Sequence, residues 1–225
     1  MFDRVLLLSM ERRADRMRSF YRLGFPKQLA GLMLPEVFTA TDAHLVPAPS
    51  WWTQTPGSWG CLMSHLRIIE DCLNRGVESC LIFEDDAVLA DDFAERFPQF
   101  MQALPDDWQM VYPGGCCRKV PQMPPTVVND QVVHCKSLTG TWGYGFRGTD
   151  FMRKLYSDLW DRLFTDKRHH IDIMLCHLHE HYRVYAPHRW LVIHPPGDSD
   201  VRHGGKTAAS LNFPDPIDLA SAAVA

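Results

Sequence analysis

Three consecutive carboxylates, Glu84-Asp85-Asp86, follow directly on the apolar run Cys80-Leu81-Ile82-Phe83. Like charges held in close contact disfavour ionisation. A divalent cation removes that cost, and hard cations such as Mg²⁺ or Mn²⁺ often sit between one or two carboxylates and a substrate diphosphate. The alternative is a set of solvated acids at a strand end, with Asp91-Asp92 capping the next helix. The residues alone leave both readings open. A second polar cluster, residues 9–16, follows another apolar run at residues 5–8 and carries Arg12 and Arg16 four positions apart. A third, His177-x-His179-Glu180-His181, places two histidines at a helical spacing compatible with zinc. It lacks the His-Glu-x-x-His order of zinc proteases, so a zinc hydrolase is the weaker alternative.

These clusters need elements to position them. Residues 5–8 and 80–83 are continuous apolar runs, as expected for buried parallel strands. Further strands are expected at 36–38, 110–112 (broken by Pro113-Gly114-Gly115), 132–135, 141–146, 183–185 and 190–193. Helices are expected at about 15–23, closed by Gly24 and Pro26, and at 62–73, 91–104, 150–164 and 171–181. Residues 47–57 and 116–129, rich in proline, read as loops. Strands alternating with helices predict an α/β fold with a mainly parallel sheet covered on both faces. Ligands bind such sheets at the carboxyl ends of the strands, which is where the first two clusters fall. One domain is expected over 1–205, with 206–225 as a loosely held tail.

With 46% hydrophobic and 22% charged residues the chain reads as an ordinary globular protein. Its formal net charge of −4 argues against nucleic acid as the main partner. No apolar stretch reaches the length of a membrane helix, which leaves peripheral membrane contact open. The seven cysteines are odd in number and contain no Cys-x-x-Cys pair, so a reducing, cytoplasmic setting is expected.

Three segments, in order, carry a resemblance. Residues 7–16 (Leu-Leu-Ser-Met-Glu-Arg-Arg-Ala-Asp-Arg) resemble the opening strand and Asn-Leu-Asp-Arg-Arg-x-Asp-Arg sequence of glycosyltransferase family 25. Residues 57–66, with Gly60-Cys61 and Ser64-His65, resemble its Gly-x-x-Gly-Cys-x-x-Ser-His segment. Residues 82–87 resemble its Asp-x-Asp-type motif. Thr141-Trp142-Gly143-Tyr144 and Ile171-Asp172 match weaker, later positions. Ser9 and Glu11 depart from the family pattern, which usually has Asn and Asp there.

The resemblance implies a GT-A type, Rossmann-like fold. It also implies an inverting transfer of a hexose from a nucleotide sugar, a UDP-hexose by family analogy, to an acceptor hydroxyl with Mn²⁺ or Mg²⁺. A glycan of lipopolysaccharide is one acceptor; a protein or a modified nucleic-acid base are others. A non-catalytic nucleotide-sugar-binding module is the alternative to an enzyme. In the implied site Asp86 ligates the metal, Glu84 assists or touches the donor ribose, and Asp85 completes the donor-side triplet. His194 is a candidate third ligand, or else a satisfied strand-end histidine. Ser9, Arg12 and Arg16 face the donor, where the two guanidinium groups suit its diphosphate or base, or else the arginines pair with Glu11 and Asp15 on a solvated face. Thr41 and Asp42 approach the nucleoside. Ser64 and His65 approach the donor, or cap and pack their helix. Asp172 is the expected base on the acceptor hydroxyl, with Asp150 in reserve and a helix-start acid as the alternative role. Trp59, Trp142 and Tyr144 are either sugar-stacking surfaces or core.

Overall fold

A computed structural model describes residues 2–22, 34–119, 122–165, 170–198, 201, 206–207 and 213–222. The first strand, β1 (Arg4–Ser9), is buried along its whole length. One 3₁₀ turn at Glu11–Arg13 leads into helix α1 (Ala14–Arg22); Leu23, its expected last residue, and Gly24 and Pro26, expected to close it, lie outside the described residues. Strand β2 (Glu36–Thr39) precedes helix α2 (Pro56–Asn74). Then come β3 (Ser79–Glu84), β4 (Val88–Leu89), α3 (Phe93–Gln102), β5 (Met110–Cys117), β6 (Thr126–Val127), β7 (Val132–His134) and β8 (Leu138–Arg147). Helices α4 (Thr149–Thr165) and α5 (Ile171–Leu178), strands β9 (Val184–Pro187) and β10 (Val192–Ile193), and helix α6 (Pro216–Ala222) follow.

Eight strands form one sheet in the order β2-β1-β3-β8-β5-β9-β7-β6. β1 is parallel to β2 and β3, and β5 to β9; β8 is antiparallel to β3 and β5, and β7 to β9 and β6. Six strands therefore run one way, with β8 and β7 reversed. The α/β class read from the sequence is borne out.

The apolar runs of β1 and β3 have a simple cause. Alternate residues feed two cores, Leu6, Leu8, Cys80 and Ile82 on one face, Val5, Leu7, Leu81 and Phe83 on the other. A strand covered on both sides has no polar positions to spare. Residues of α2, α4 and α5 line the first core; Phe20 of α1 and Phe93, Phe97 and Phe100 of α3 line the second.

Several expectations change. Helix α2 begins at Pro56, inside the stretch expected to be a loop. Thr55 caps it by accepting from the Ser58 amide at 3.0 Å, and proline in the first turn has no amide to leave unpaired. Strand β5 runs through Pro113-Gly114-Gly115 instead of breaking there, with irregular register on either side of Gly114. A Cβ on Gly114 would lie 2.3 Å from the Val192 carbonyl oxygen and 2.8 Å from Trp142 Nε1, so only glycine lets the bulged strand pass. The stretch 116–129 includes the end of β5 and the short strand β6. α5 stops at Leu178 and His179–His181 form a 3₁₀ turn, so the helix expected over 171–181 ends early, and among the described residues the histidine cluster forms no three-ligand group. Within the segment read as a tail, α6 is docked: Trp190 donates through Nε1 to the Pro214 carbonyl and through its amide to Asp215 Oδ1, at 3.1 and 2.9 Å.

Candidate functional site

Parallel pairing of β1 with β3 brings Ser9 and the acidic triplet to one rim. Leu8 is in register with Glu84, and the Asp85 amide donates to the Leu8 carbonyl at 3.1 Å. Ser9 Oγ then donates to Asp85 Oδ2 at 2.7 Å. Arg16, in the first turns of α1, reaches the same rim, where its Nη1 lies 3.3 Å from Asp85 Oδ1 and 2.8 Å from Asp86 Oδ2. His194, just past β10, places Nε2 3.2 Å from Asp86 Oδ2. The structure thus gathers Ser9, Arg16, Asp85, Asp86 and His194.

Burial sets the electrostatics. Asp85 is 7% exposed, and desolvation, with the Asp86 charge adding, lifts its pKa to about 6 against the pull of Ser9 and Arg16. Burial pushes the Asp86 carboxyl up too, but His194 and Arg16 outweigh it and hold the group below its ordinary range. Burial lowers His194, and the Asp86 contact, with help from Glu84, more than reverses this. Asp86 Oδ1 is buried and has no hydrogen-bond partner. An orphaned carboxylate oxygen beside an imidazole is a donor set that a divalent cation fits.

Glu84 faces elsewhere. It accepts a hydrogen bond from Thr141 Oγ1 of β8 and lies 3.4 Å from His65 Nε2. Glu84, Asp86 and His194 do not form a three-ligand group in this arrangement; among the described residues the one such group is Cys61, His65 and Glu84. The expected metal set is therefore divided, because the chain turns at Asp85-Asp86 and sends the two outer carboxylates to different neighbours.

The second wall lies between β2, α2 and the 3₁₀ turn. A cavity of about 530 Å³ is lined there by Glu11, Arg12, Thr41, Asp42, Trp59 and Arg67 among others. Arg12 Nε donates to Asp42 Oδ2 at 2.7 Å, and Asp42 Oδ1 accepts from the His44 amide, which together hold its carboxyl below the ordinary range. Arg67 donates to Thr41 Oγ1 at 3.0 Å. Thr41 and Asp42 sit close over α2 because residue 60 is glycine; a Cβ there would lie 2.5 Å from the Thr41 carbonyl oxygen. The motif Ser64 serves the same contact. It is 1% exposed, accepts from the Thr41 amide and donates to the Gly60 carbonyl, so it positions the Thr41 turn and does not face a ligand. His65 is wholly buried, with Nδ1 2.9 Å from Tyr144 Oη.

Asp172 begins α5, half-buried, with Oδ1 accepting from the Ile173 amide. Its charge is felt at Cys61: burial, then Glu84, Asp172 and Asp86, push that thiol well up. Asp150 is fully exposed and pairs with Arg153 one turn along α4. Trp59 and Tyr144 are core residues, 9% and 1% exposed. Trp142 packs beside His194, ring centroids 5.7 Å apart. Of the histidine cluster, His179 is fully buried and bonded to Tyr112 Oη and the Leu138 amide. Sequence reasoning missed Arg67. The one signal was a lone basic residue in an otherwise apolar stretch of α2, which reads equally as a solvated face.

The fold and site define an α/β protein with a carboxylate-rich rim at the carboxyl ends of parallel strands. Residues 52–120 match the family model described as "Glycosyltransferase family 25 (LPS biosynthesis protein)". The chain is 27% identical over 129 residues to "Probable inactive glycosyltransferase 25 family member 3" of Bos taurus, covering 50% of this chain and 22% of that protein. It is also 27% identical over 133 residues to "Procollagen galactosyltransferase 1" of Danio rerio, covering 50% and 21%. Together these support glycosyltransferase family 25, as the three motifs implied. The chain spans about a fifth of the length of these relatives. A solved UDP-glucose pyrophosphorylase complexed with UDP-glucose is similar in structure with a TM-score of 0.46 and 10% identity, covering 83% of this chain and 90% of that one. No described helix is long and apolar enough to cross a membrane.

Proposed function

We propose that this chain is a glycosyltransferase that uses a divalent cation to move a hexose from a nucleotide sugar, a UDP-hexose by preference, to an acceptor hydroxyl. The observation that carries the reading is Asp86 Oδ1, buried and unpartnered at the carboxyl rim beside His194 and Arg16. Asp86 and His194 are the residues that would hold Mn²⁺ or Mg²⁺, with Glu84 close by on the other side of the turn. When bound, such an ion stabilises the negative charge that develops on a leaving diphosphate.

The chain's own groups supply the rest. Arg16 bridges Asp85 and Asp86 and offers a fixed positive charge next to the expected diphosphate position. Asp85, tied to Ser9 and Arg16, positions that guanidinium. The Arg12–Asp42 pair and Arg67 border the cavity on the β2 side, which is wide enough for a nucleoside. Asp172 is the candidate base: it stands in the first turn of α5 and would take the proton from an acceptor hydroxyl as that oxygen attacks the anomeric carbon. The acceptor is assigned only as a hydroxyl-bearing molecule, a glycan by preference.

A relative described as inactive favours a second reading, a nucleotide-sugar-binding module without turnover. One experiment separates the two. Purified protein is given a panel of nucleotide sugars with Mn²⁺, Mg²⁺ or EDTA, and nucleoside diphosphate release is measured beside Asp86→Ala. Release that needs metal and falls at least about a hundredfold in the variant supports the transferase. Calorimetric binding of one donor without release supports the module, and no binding of any donor overturns both.

A further inference from the structure

Cys61 and His65 lie four residues apart on α2, so the helix presents both on one face. Glu84, at the end of β3, meets that face. Cys61 Sγ, His65 Nε2 and a Glu84 carboxylate oxygen all lie within 4.8 Å of one another. The transferase reading needs neither the thiol nor the imidazole.

Two further observations point to a ligand. His65 is 0% exposed, yet its Nε2 has no hydrogen-bond partner. A buried imidazole nitrogen that stands 3.4 Å from a carboxylate oxygen yet makes no hydrogen bond is costly unless a ligand satisfies it. The one nitrogen–oxygen spacing is also that of a coordination shell. Around a tetrahedral zinc ion, nitrogen and oxygen ligands at their usual bond lengths stand about 3.3–3.5 Å apart. His65 Nε2 and Glu84 Oε1 stand 3.4 Å apart. Outer contacts of the kind that orient metal ligands are in place as well. Tyr144 Oη holds His65 through Nδ1 at 2.9 Å, and Thr141 Oγ1 donates to Glu84.

We propose that Cys61, His65 and Glu84 form a binding site for one zinc-class transition-metal ion, separate from the Asp86–His194 site. A thiolate and an imidazole select Zn²⁺ or Co²⁺ over Mg²⁺ and Mn²⁺, and three protein ligands leave the fourth position for water or another small ligand. Glu84 thereby belongs to the α2 side of the rim. Zinc at this site fixes Glu84 against α2, joining β3 to the helix that carries the Thr41 turn. The metal is bound by deprotonation of the Cys61 thiol, whose proton leaves to solvent.

The test uses the full chain stripped with chelator and titrated with Co²⁺ alone, followed by absorption. Binding at the proposed site gives one equivalent with a thiolate-to-cobalt charge-transfer band and the intense visible bands of a four-coordinate ion, both erased by one equivalent of Zn²⁺. Cys61→Ser is expected to abolish the charge-transfer band, and His65→Gln to weaken Co²⁺ binding at least tenfold. Asp86→Ala is expected to keep the full spectrum, so loss of sugar transfer and loss of this site are told apart. No thiolate band in the wild-type chain overturns the proposal whatever the variants do. A band that survives in folded Cys61→Ser overturns it too, since another cysteine would then be the ligand. Circular dichroism of each variant establishes that it is folded.

Discussion

His179 makes a sharp prediction about acid stability. Its ring is fully buried; Nδ1 accepts from the Leu138 amide and Nε2 faces Tyr112 Oη. That arrangement needs the neutral tautomer with the proton on Nε2. Desolvation lowers its pKa from 6.5 to about 3. The sign follows directly. In the native state the ring stays neutral down to about pH 3, while in the unfolded chain it gains a proton below about 6.5. The unfolded state then binds more protons, so stability falls as pH drops. Between pH 7.5 and 5.5 the loss from this one group is about 1.4 kcal/mol. Asp85 and His194, whose pKa values are raised by folding, titrate with the opposite sign, and His134, lowered by burial, with the same sign, so the raw pH profile sums several groups. The informative quantity is a difference: urea unfolding of wild type and His179→Gln at pH 7.5 and 5.5. The variant is expected to be less stable at both values but to lose about 1.4 kcal/mol less on acidification. Proton–carbon NMR of the wild-type rings gives an independent readout, with the His179 signals expected to stay neutral to below pH 4.5. Equal pH dependence in the two proteins, or a His179 ring that titrates near 6, would refute the reasoning.

Gly114→Ala forces a methyl group to within 2.3 Å of the Val192 carbonyl oxygen. A loss of about 1–3 kcal/mol is expected, which thermal melting would record as a fall of roughly 2–10 °C. Arg12→Ala removes the 2.7 Å contact to Asp42 at the cavity wall. The donor KM is expected to rise about tenfold with a smaller change in kcat, and calorimetry should show the same loss in donor affinity.

Local pattern carried much of the first half of the chain. The runs at 5–8 and 80–83 read as strands covered on both faces, and in a mainly parallel sheet their polar successors fall on one rim. Arg12 and Arg16 were marked by position alone. Elsewhere local rules misled for identifiable reasons. Pro113-Gly114-Gly115 looks like a break, but β8 and Val192 hold it as a bulged strand. Pro56 looks like part of a loop, but it stands in the first turn of α2, where proline fits. Ser64 looks like a ligand contact, yet both its hydrogen bonds go to backbone.

The sequence by itself determined the α/β class, the apolar strands and the identity of the acidic residues, because periodicity and charge are properties of neighbours along the chain. Tertiary structure alone decided which groups each carboxylate meets. Asp86 finds Arg16 and His194, and Glu84 finds Thr141 and His65, partners that strand order brings from distant parts of the chain. It also decided that His179 is a neutral core residue, since only the packed structure excludes the water that would let it ionise.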